Sequence, residues 1–80
     1  MQKFFFTFMQ KQTLLKNTYV YIEAPNEGLA RHFMTENFGL KWAFCYTPES
    51  FGTMKVEFNL RCLFHVGIDD NYNITDRKII

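Results

Sequence analysis

The segment from Thr18 to Tyr46 constrains the fold more than any other part of this chain. It begins with seven residues of alternating character (TYVYIEA), passes a helix-start signal at Pro25-Asn26-Glu27, and ends in a second aromatic run (KWAFCY). Alternation with a period of two predicts a half-buried strand, whereas apolar residues three and four positions apart predict a helix. A strand, a helix and a strand therefore form the centre of the predicted fold.

The helix of this unit is predicted over residues 26–38. Pro25 suits the first helical turn, where its missing N–H is harmless. Glu27 places negative charge at the positive end of the helix dipole, and Gly39 suits a left-handed C-terminal cap. The apolar positions that we expect to face the core follow the helical spacing: Leu29, Ala30, Phe33, Met34 and Phe38.

Alternating or aromatic runs predict strands over residues 3–9, 18–24, 41–46 and 54–60, with 61–68 either extending the last strand or pairing with it. The predicted class is therefore α+β, with a single helix packed on one face of an antiparallel sheet of four to five strands, in the order β-β-α-β-β. Residues 1–68 form the predicted domain. Residues 69–80 are polar and are predicted to be a C-terminal tail.

Composition narrows the classes of function. Nine basic and eight acidic residues give a net charge of +1, which argues against a strongly electrostatic nucleic-acid binder. No apolar stretch approaches the ~20 residues of a membrane span, so we expect no membrane partner. With only two cysteines and no signal-peptide pattern, the chain is predicted to be cytoplasmic.

The residues that could support catalysis or metal binding are few. Cys62 and His65 form a C-x-x-H pair, to which Cys45 and His32 could add ligands. On a regular strand Cys62 and His65 would point to opposite faces. The chain contains no glycine-rich phosphate loop and no nucleophile motif. We therefore predict no catalytic residues, no metal site and no cofactor, and a protein that is not an enzyme.

A single helix would leave one face of the sheet uncovered. Phe5, Tyr19 and Tyr21 lie opposite the predicted core faces of their strands, and Lys41 stands at the rim. These four residues are the predicted partner-binding site. Aromatic side chains are common anchors of protein interfaces, so a protein partner is preferred, with a second copy of the chain as the simplest alternative. Single-stranded nucleic acid stacked on the aromatics is the other hypothesis.

Three motifs carry a resemblance to a known group of proteins. They are Phe6-Thr7-Phe8, the run YVYIEAPNEGLARHFM, and the run FGLKWAFCY. Together they resemble a family of small, largely uncharacterised accessory proteins of bacteriophages and prophages, over roughly residues 1–50. The resemblance implies that the protein acts in the cytoplasm of a bacterial host. It also implies binding to a host protein, including inhibition of defence systems such as CRISPR effectors. It implies no catalytic residue.

Overall fold

A computed structural model describes residues 2–8, 17–39, 41–57 and 59–79 of the chain. Seven elements follow one another: β1 (Gln2–Phe8), β2 (Thr18–Ala24), α1 (Glu27–Phe38), β3 (Trp42–Tyr46), α2 (Pro48–Glu57), β4 (Arg61–Ile68) and β5 (Ile74–Ile79). The class is α+β, as predicted, but the described residues form two helices and a mixed sheet. Within the described ranges, neither helix has the length and apolar character needed to cross a membrane.

The five strands lie in the order β3-β1-β2-β4-β5. The predicted antiparallel pairing of β1 with β2 is confirmed, and β3 and β5 are also antiparallel to their neighbours. The pairing of β2 with β4 is parallel, so the prediction of a fully antiparallel sheet is wrong. Parallel neighbours need a long crossover, and the segment containing α1, β3 and α2 provides it.

Helix α1 begins and ends on the signals seen in the sequence. The side chain of Asn26 accepts a hydrogen bond of 2.9 Å from the Leu29 N–H and caps the helix. Pro25 therefore precedes the cap instead of occupying the first turn. Gly39 has a φ of 58°, and its N–H donates to the Thr35 carbonyl. Both ends of α1 thus satisfy backbone groups that the helix leaves unpaired.

The main core lies between α1 and one face of the sheet, called here the front face. Ala30, Phe33 and Met34 of α1 are buried, and Leu29 and Phe38 pack against the same core, so the predicted helix stripe is confirmed. The sheet contributes the residues that were predicted to face inward on β1 and β2, together with two from β4: Phe4, Phe6, Val20, Ile22, Ala24, Val66 and Ile68.

Strand β3 departs from simple alternation. The sequence predicts that Trp42, Phe44 and Tyr46 share a face, but the register between β1 and β3 shifts between Thr7 and Phe8. Trp42 consequently packs edge-on against Phe6 in the core, at 5.2 Å between ring centroids. Phe44 and Tyr46 pair with Thr7 and Phe5 and lie on the opposite face, called here the back face.

The strand predicted over residues 54–60 does not form, because residues 48–57 are helical. Thr47 and Ser50 exchange hydrogen bonds at the start of α2, where Pro48 occupies the first turn. Phe51 is only 3% exposed and anchors the helix to the sheet. Val56, which the alternation of residues 54–60 would turn toward the core, is 83% exposed. The predicted β-β-α-β-β order is therefore wrong, whereas the predicted packing of a helix on one face of the sheet is met by α1.

The predicted polar tail, residues 69–80, contains strand β5, which pairs with β4 along residues 74–79. The connecting turn is held by Asp69, whose carboxylate accepts the N–H groups of Asn71 and Asn73, both at 2.9 Å. These hydrogen bonds hold the pKa of Asp69 below its usual value. The sheet thus continues past residue 68, the predicted end of the domain.

Candidate functional site on the back face

The predicted partner-binding residues occupy different parts of the molecule. Phe5, Tyr19 and Tyr21 lie together on the back face, as their alternation in β1 and β2 predicts. Lys41 is exposed in the turn between α1 and β3, where its N–H donates to the Phe38 carbonyl. It is at the far end of β3 from Tyr46, the residue paired with Phe5. The structure brings together the three aromatics and leaves Lys41 apart from them.

The back face carries a row of four parallel rings that crosses three strands and reaches α2. The neighbouring centroids are 4.2 Å apart for His65 and Tyr21, 4.8 Å for Tyr21 and Phe5, and 4.4 Å for Phe5 and Phe51, with interplanar angles of 11°, 8° and 4°. Tyr21 and Phe5 therefore have a neighbouring ring on each of their two faces. They present edges, not faces, to any molecule that approaches the sheet.

Helix α2 covers part of the back face that the sequence leaves open. Tyr19 is 7% exposed, because Phe51 packs edge-on against it at 4.7 Å and the Lys55 ammonium lies 5.8 Å from its ring centroid. Tyr19 therefore belongs to a second small core and is not a surface residue. Phe51 received no role from the sequence, because the alternation of residues 54–60 favours a strand directly after it. The run Thr47-Pro48-Glu49-Ser50 suits a turn or a single helical turn, and it is the local pattern from which this helix could have been found.

A polar cluster lies beside the ring row. The Tyr21 hydroxyl donates to Glu23 Oε1 at 3.0 Å, and the same oxygen is 3.3 Å from His65 Nε2. The imidazole is close enough for charge attraction when protonated, but its angle to the carboxylate does not form a hydrogen bond. Burial, followed by the hydrogen bond and the negative charge of Glu23, raises the pKa of Tyr21 to about 12.

Cys62 and His65 lie on the same face, contrary to the sequence expectation. The register between β2 and β4 shifts between Tyr19 and Val20, so Cys62 pairs with Tyr19 and His65 pairs with Tyr21. The Cys62 thiol donates to the Phe64 carbonyl at 3.5 Å. Its pKa is raised, chiefly because burial disfavours the thiolate.

The side chains weighed as metal ligands do not converge. Cys45 packs against the front core, whereas Cys62 and His65 are on the back face, and His32 is half-exposed on α1 beside Tyr72. Among the described residues, no group of three or more potential ligands is close enough to hold a metal ion. Burial also raises the pKa of Cys45, to about 11. A thiol with a raised pKa is a poor nucleophile at neutral pH.

Two further surfaces stand out. One is an open groove of about 550 Å³ beside α2, lined by Thr18, Tyr19, Lys55, Leu60, Arg61, Cys62 and Leu63. The other is the edge of the sheet at β3, where Phe44 is 62% exposed and lies 6.1 Å from the Tyr46 ring. No motif identifies either surface, because each depends on a shifted register or on the docking of α2.

No family model matches this chain, and neither a curated protein nor a solved structure matches it.

Proposed function

We propose that this chain is a small, non-enzymatic protein-binding module that acts on a bacterial host protein. The observation that carries the proposal is the aromatic edge of the sheet, formed by strand β3 with Phe44 at its centre. Phe44 is a large apolar side chain that is 62% exposed. The resemblance to phage accessory proteins supplies the expected setting, and inhibition of a host defence system is the role that it implies.

The edge suits an extended partner segment. Among the described strands, β3 lies at one end of the sheet and pairs with β1 alone. An edge strand offers a row of backbone N–H and C=O groups to a further strand. The five residues of β3 include no charge and no proline, which are common means of blocking such pairing. Phe44 and Tyr46 would add aromatic anchors on the back face.

The environment of the two thiols supports a binding role over catalysis. Both cysteines have a raised pKa because of burial. Cys62 and His65 share a face, but their partners Tyr19 and Tyr21 stand two positions apart along β2, a spacing of about 7 Å. A thiol and its base need hydrogen-bond distance to act as a nucleophilic pair.

The stacked ring row weakens the case for single-stranded nucleic acid. Bases bind such surfaces by lying on exposed ring faces. Phe5 and Tyr21 are stacked on both faces, and Tyr19 is buried beneath α2. The net charge of +1 supplies little attraction for phosphates. The protein-binding proposal is therefore preferred.

Affinity capture from a bacterial lysate tests the proposal. The immobilised wild-type chain should retain a host protein that survives nuclease treatment. The Phe44→Ser variant should no longer retain this host protein, because the substitution removes an exposed anchor and leaves the core unchanged. Val56→Ser is the matched control: Val56 is 83% exposed on α2, so this change should retain the partner. A partner held equally by both variants, or capture of nucleic acid alone, would contradict the proposed surface.

The inhibitory role has its own test. Expression of the wild-type chain in a bacterium with an active CRISPR system should raise the plating efficiency of a targeted phage, and Phe44→Ser should abolish the gain. Equal protection by wild type and Phe44→Ser would show that the inhibition does not depend on the β3 edge. The oligomeric state of the pure chain must be measured alongside, since a dimer that dissociates on Phe44→Ser would identify a second copy as the occupant.

A further inference from the structure

We propose that the groove beside α2 binds a small organic anion, whose phosphate or carboxylate group is held by Lys55 and Arg61. This site goes beyond the protein-binding proposal and does not depend on it. The groove adjoins β2 and β4, whereas the aromatic edge is at β3, and β1 separates β3 from β2.

The shape of the groove is set by backbone contacts at the start of β4. The Leu60 N–H donates to the Lys55 carbonyl at 3.1 Å, and the Arg61 N–H donates to the Asn17 carbonyl at 2.9 Å. Asn59 and Asn17 both have positive φ angles, of 51° and 60°, as required for the tight turns there. These bonds hold the end of α2 beside the first residues of β2 and β4. The resulting volume of about 550 Å³ is that of a small-molecule site.

The described residues that line the groove carry charge of one sign. Lys55 and Arg61 are both exposed, and none of these described lining residues is acidic. Among the side chains that the structure describes, neither cation forms an ion pair with a carboxylate. The Lys55 ammonium lies over the Tyr19 ring, 5.8 Å from its centroid, and this cation–π contact holds it at the groove. Arg61 can add a planar pair of donors suited to phosphate or carboxylate oxygens.

The other residues that line the groove favour a ligand that is apolar apart from its anionic group. Leu60 is partly exposed and offers apolar surface next to the two cations, and the small exposed part of Tyr19 adds to it. Cys62 is also part of the wall, and burial keeps its thiol in the neutral form, so that it does not repel an anion. Two cations beside apolar walls favour an amphiphilic anion, such as an aryl phosphate or an aryl carboxylate, over a fully hydrated ion.

Titration of the isotope-labelled full chain, followed by amide chemical shifts, tests the site. Phenyl phosphate and benzoate are the two probes, and inorganic phosphate measures the contribution of charge alone. We expect saturable shifts at Tyr19, Cys62 and Leu63 with at least one organic probe, and a weaker response to inorganic phosphate. The better organic probe identifies the anionic group as phosphate or as carboxylate.

Variants establish whether the two cations are responsible. Lys55→Gln and Arg61→Gln should each weaken binding about tenfold, because each removes a charge-assisted contact. Lys3→Gln and Lys41→Gln remove the same charge from exposed positions outside the groove, and should leave the affinity within about twofold. All four sites are exposed, so folding should persist, as the amide spectrum will show. No saturation with either organic probe, or equal weakening by all four variants, would overturn the proposal.

Discussion

Tyr21 shows how one side chain joins several elements on the back face. Its ring is stacked between Phe5 of β1 and His65 of β4, and its hydroxyl donates to Glu23. Burial of the ring disfavours the charged phenolate, and the adjacent Glu23 carboxylate accepts the phenol proton in a hydrogen bond and repels the phenolate. Both effects act in the same direction on the proton of Tyr21, whose pKa rises to about 12.

This shift predicts a pH dependence of stability. The folded protein holds the Tyr21 proton more tightly than the unfolded chain, whose phenol has the ordinary pKa of 10.0. The stabilising contribution is therefore complete below pH 10 and is lost as the pH rises toward 12. Urea unfolding across this range should show the wild type losing stability more steeply than Tyr21→Phe. Part of the loss of stability with rising pH should persist in Tyr21→Phe, because the pKa values of Tyr19 and Tyr72 are also raised.

Glu23→Gln separates the two causes of that shift. The variant removes the carboxylate but leaves the burial of the ring, so the pKa of Tyr21 should fall part of the way toward 10. Ultraviolet titration of tyrosinate absorbance, compared with Tyr21→Phe, measures the change. If the free energy of unfolding fell equally with pH in wild type and in Tyr21→Phe, the Tyr21 phenol would not contribute to the pH dependence of stability.

At the scale of elements, α1 and α2 are stabilised in different ways. Helix α1 has an Asn26 cap, a Gly39 terminus and a stripe of buried residues. Helix α2 includes Gly52, Thr53 and Val56, all of which have low helix propensity. Its main anchor is Phe51, which stacks on Phe5 and packs against Tyr19. Tertiary contact, more than local preference, therefore holds α2 in place.

Phe51→Ala should release α2 from the sheet. Truncation of a buried phenylalanine costs about 3–5 kcal/mol, a large share of the stability of a small domain, which is about 5–15 kcal/mol. Val56→Ala is the matched change on the same helix at a position that is 83% exposed, and should shift the free energy of unfolding by less than about 0.5 kcal/mol. Urea unfolding measures both. Comparable losses would mean that the anchor is elsewhere.

At the scale of the whole molecule, the parallel pair of β2 and β4 organises the sheet. β1 and β2 are neighbours in the sequence, so their pairing could form early. β4 is separated from β2 in the sequence by α1, β3 and α2, so the pairing of β2 with β4 is a long-range contact. β5 then covers the free side of β4, the strand that supplies Val66 and Ile68 to the core. The two ends of the chain's described part thus belong to one continuous sheet.

Removal of residues 74–80 should destabilise the entire domain. The truncated chain would leave β4 as an unpaired edge next to the core. We expect unfolding at a lower urea concentration. The free energy of unfolding should also depend less steeply on urea concentration, because less surface is buried on folding. Ile74→Ser, at a position that is 51% exposed, controls for loss of one apolar side chain and should have a much smaller effect. An unchanged midpoint after truncation would indicate a dispensable tail.

Local signals account for the elements that were predicted correctly. The alternation of residues 18–24 and the helical spacing of residues 26–38 each place apolar side chains on one face, and Asn26 and Gly39 suit the backbone at the helix ends. The α+β class, the bounds of β2 and the core stripe of α1 follow from these patterns alone, because each depends on neighbours within a few positions.

The tertiary structure decided what local patterns leave open. Residues 54–60 alternate like a strand, yet the docking of Phe51 onto Phe5 holds this region in a helix as far as Glu57. Register shifts in β3 and β4 turned Trp42 into the core and brought Cys62 to the same face as His65. The β3 edge and the anion groove arise from these long-range choices. Sequence alone therefore determined which segments have a face to bury, and tertiary packing determined which surfaces remain uncovered, since that depends on contacts between residues far apart in the chain.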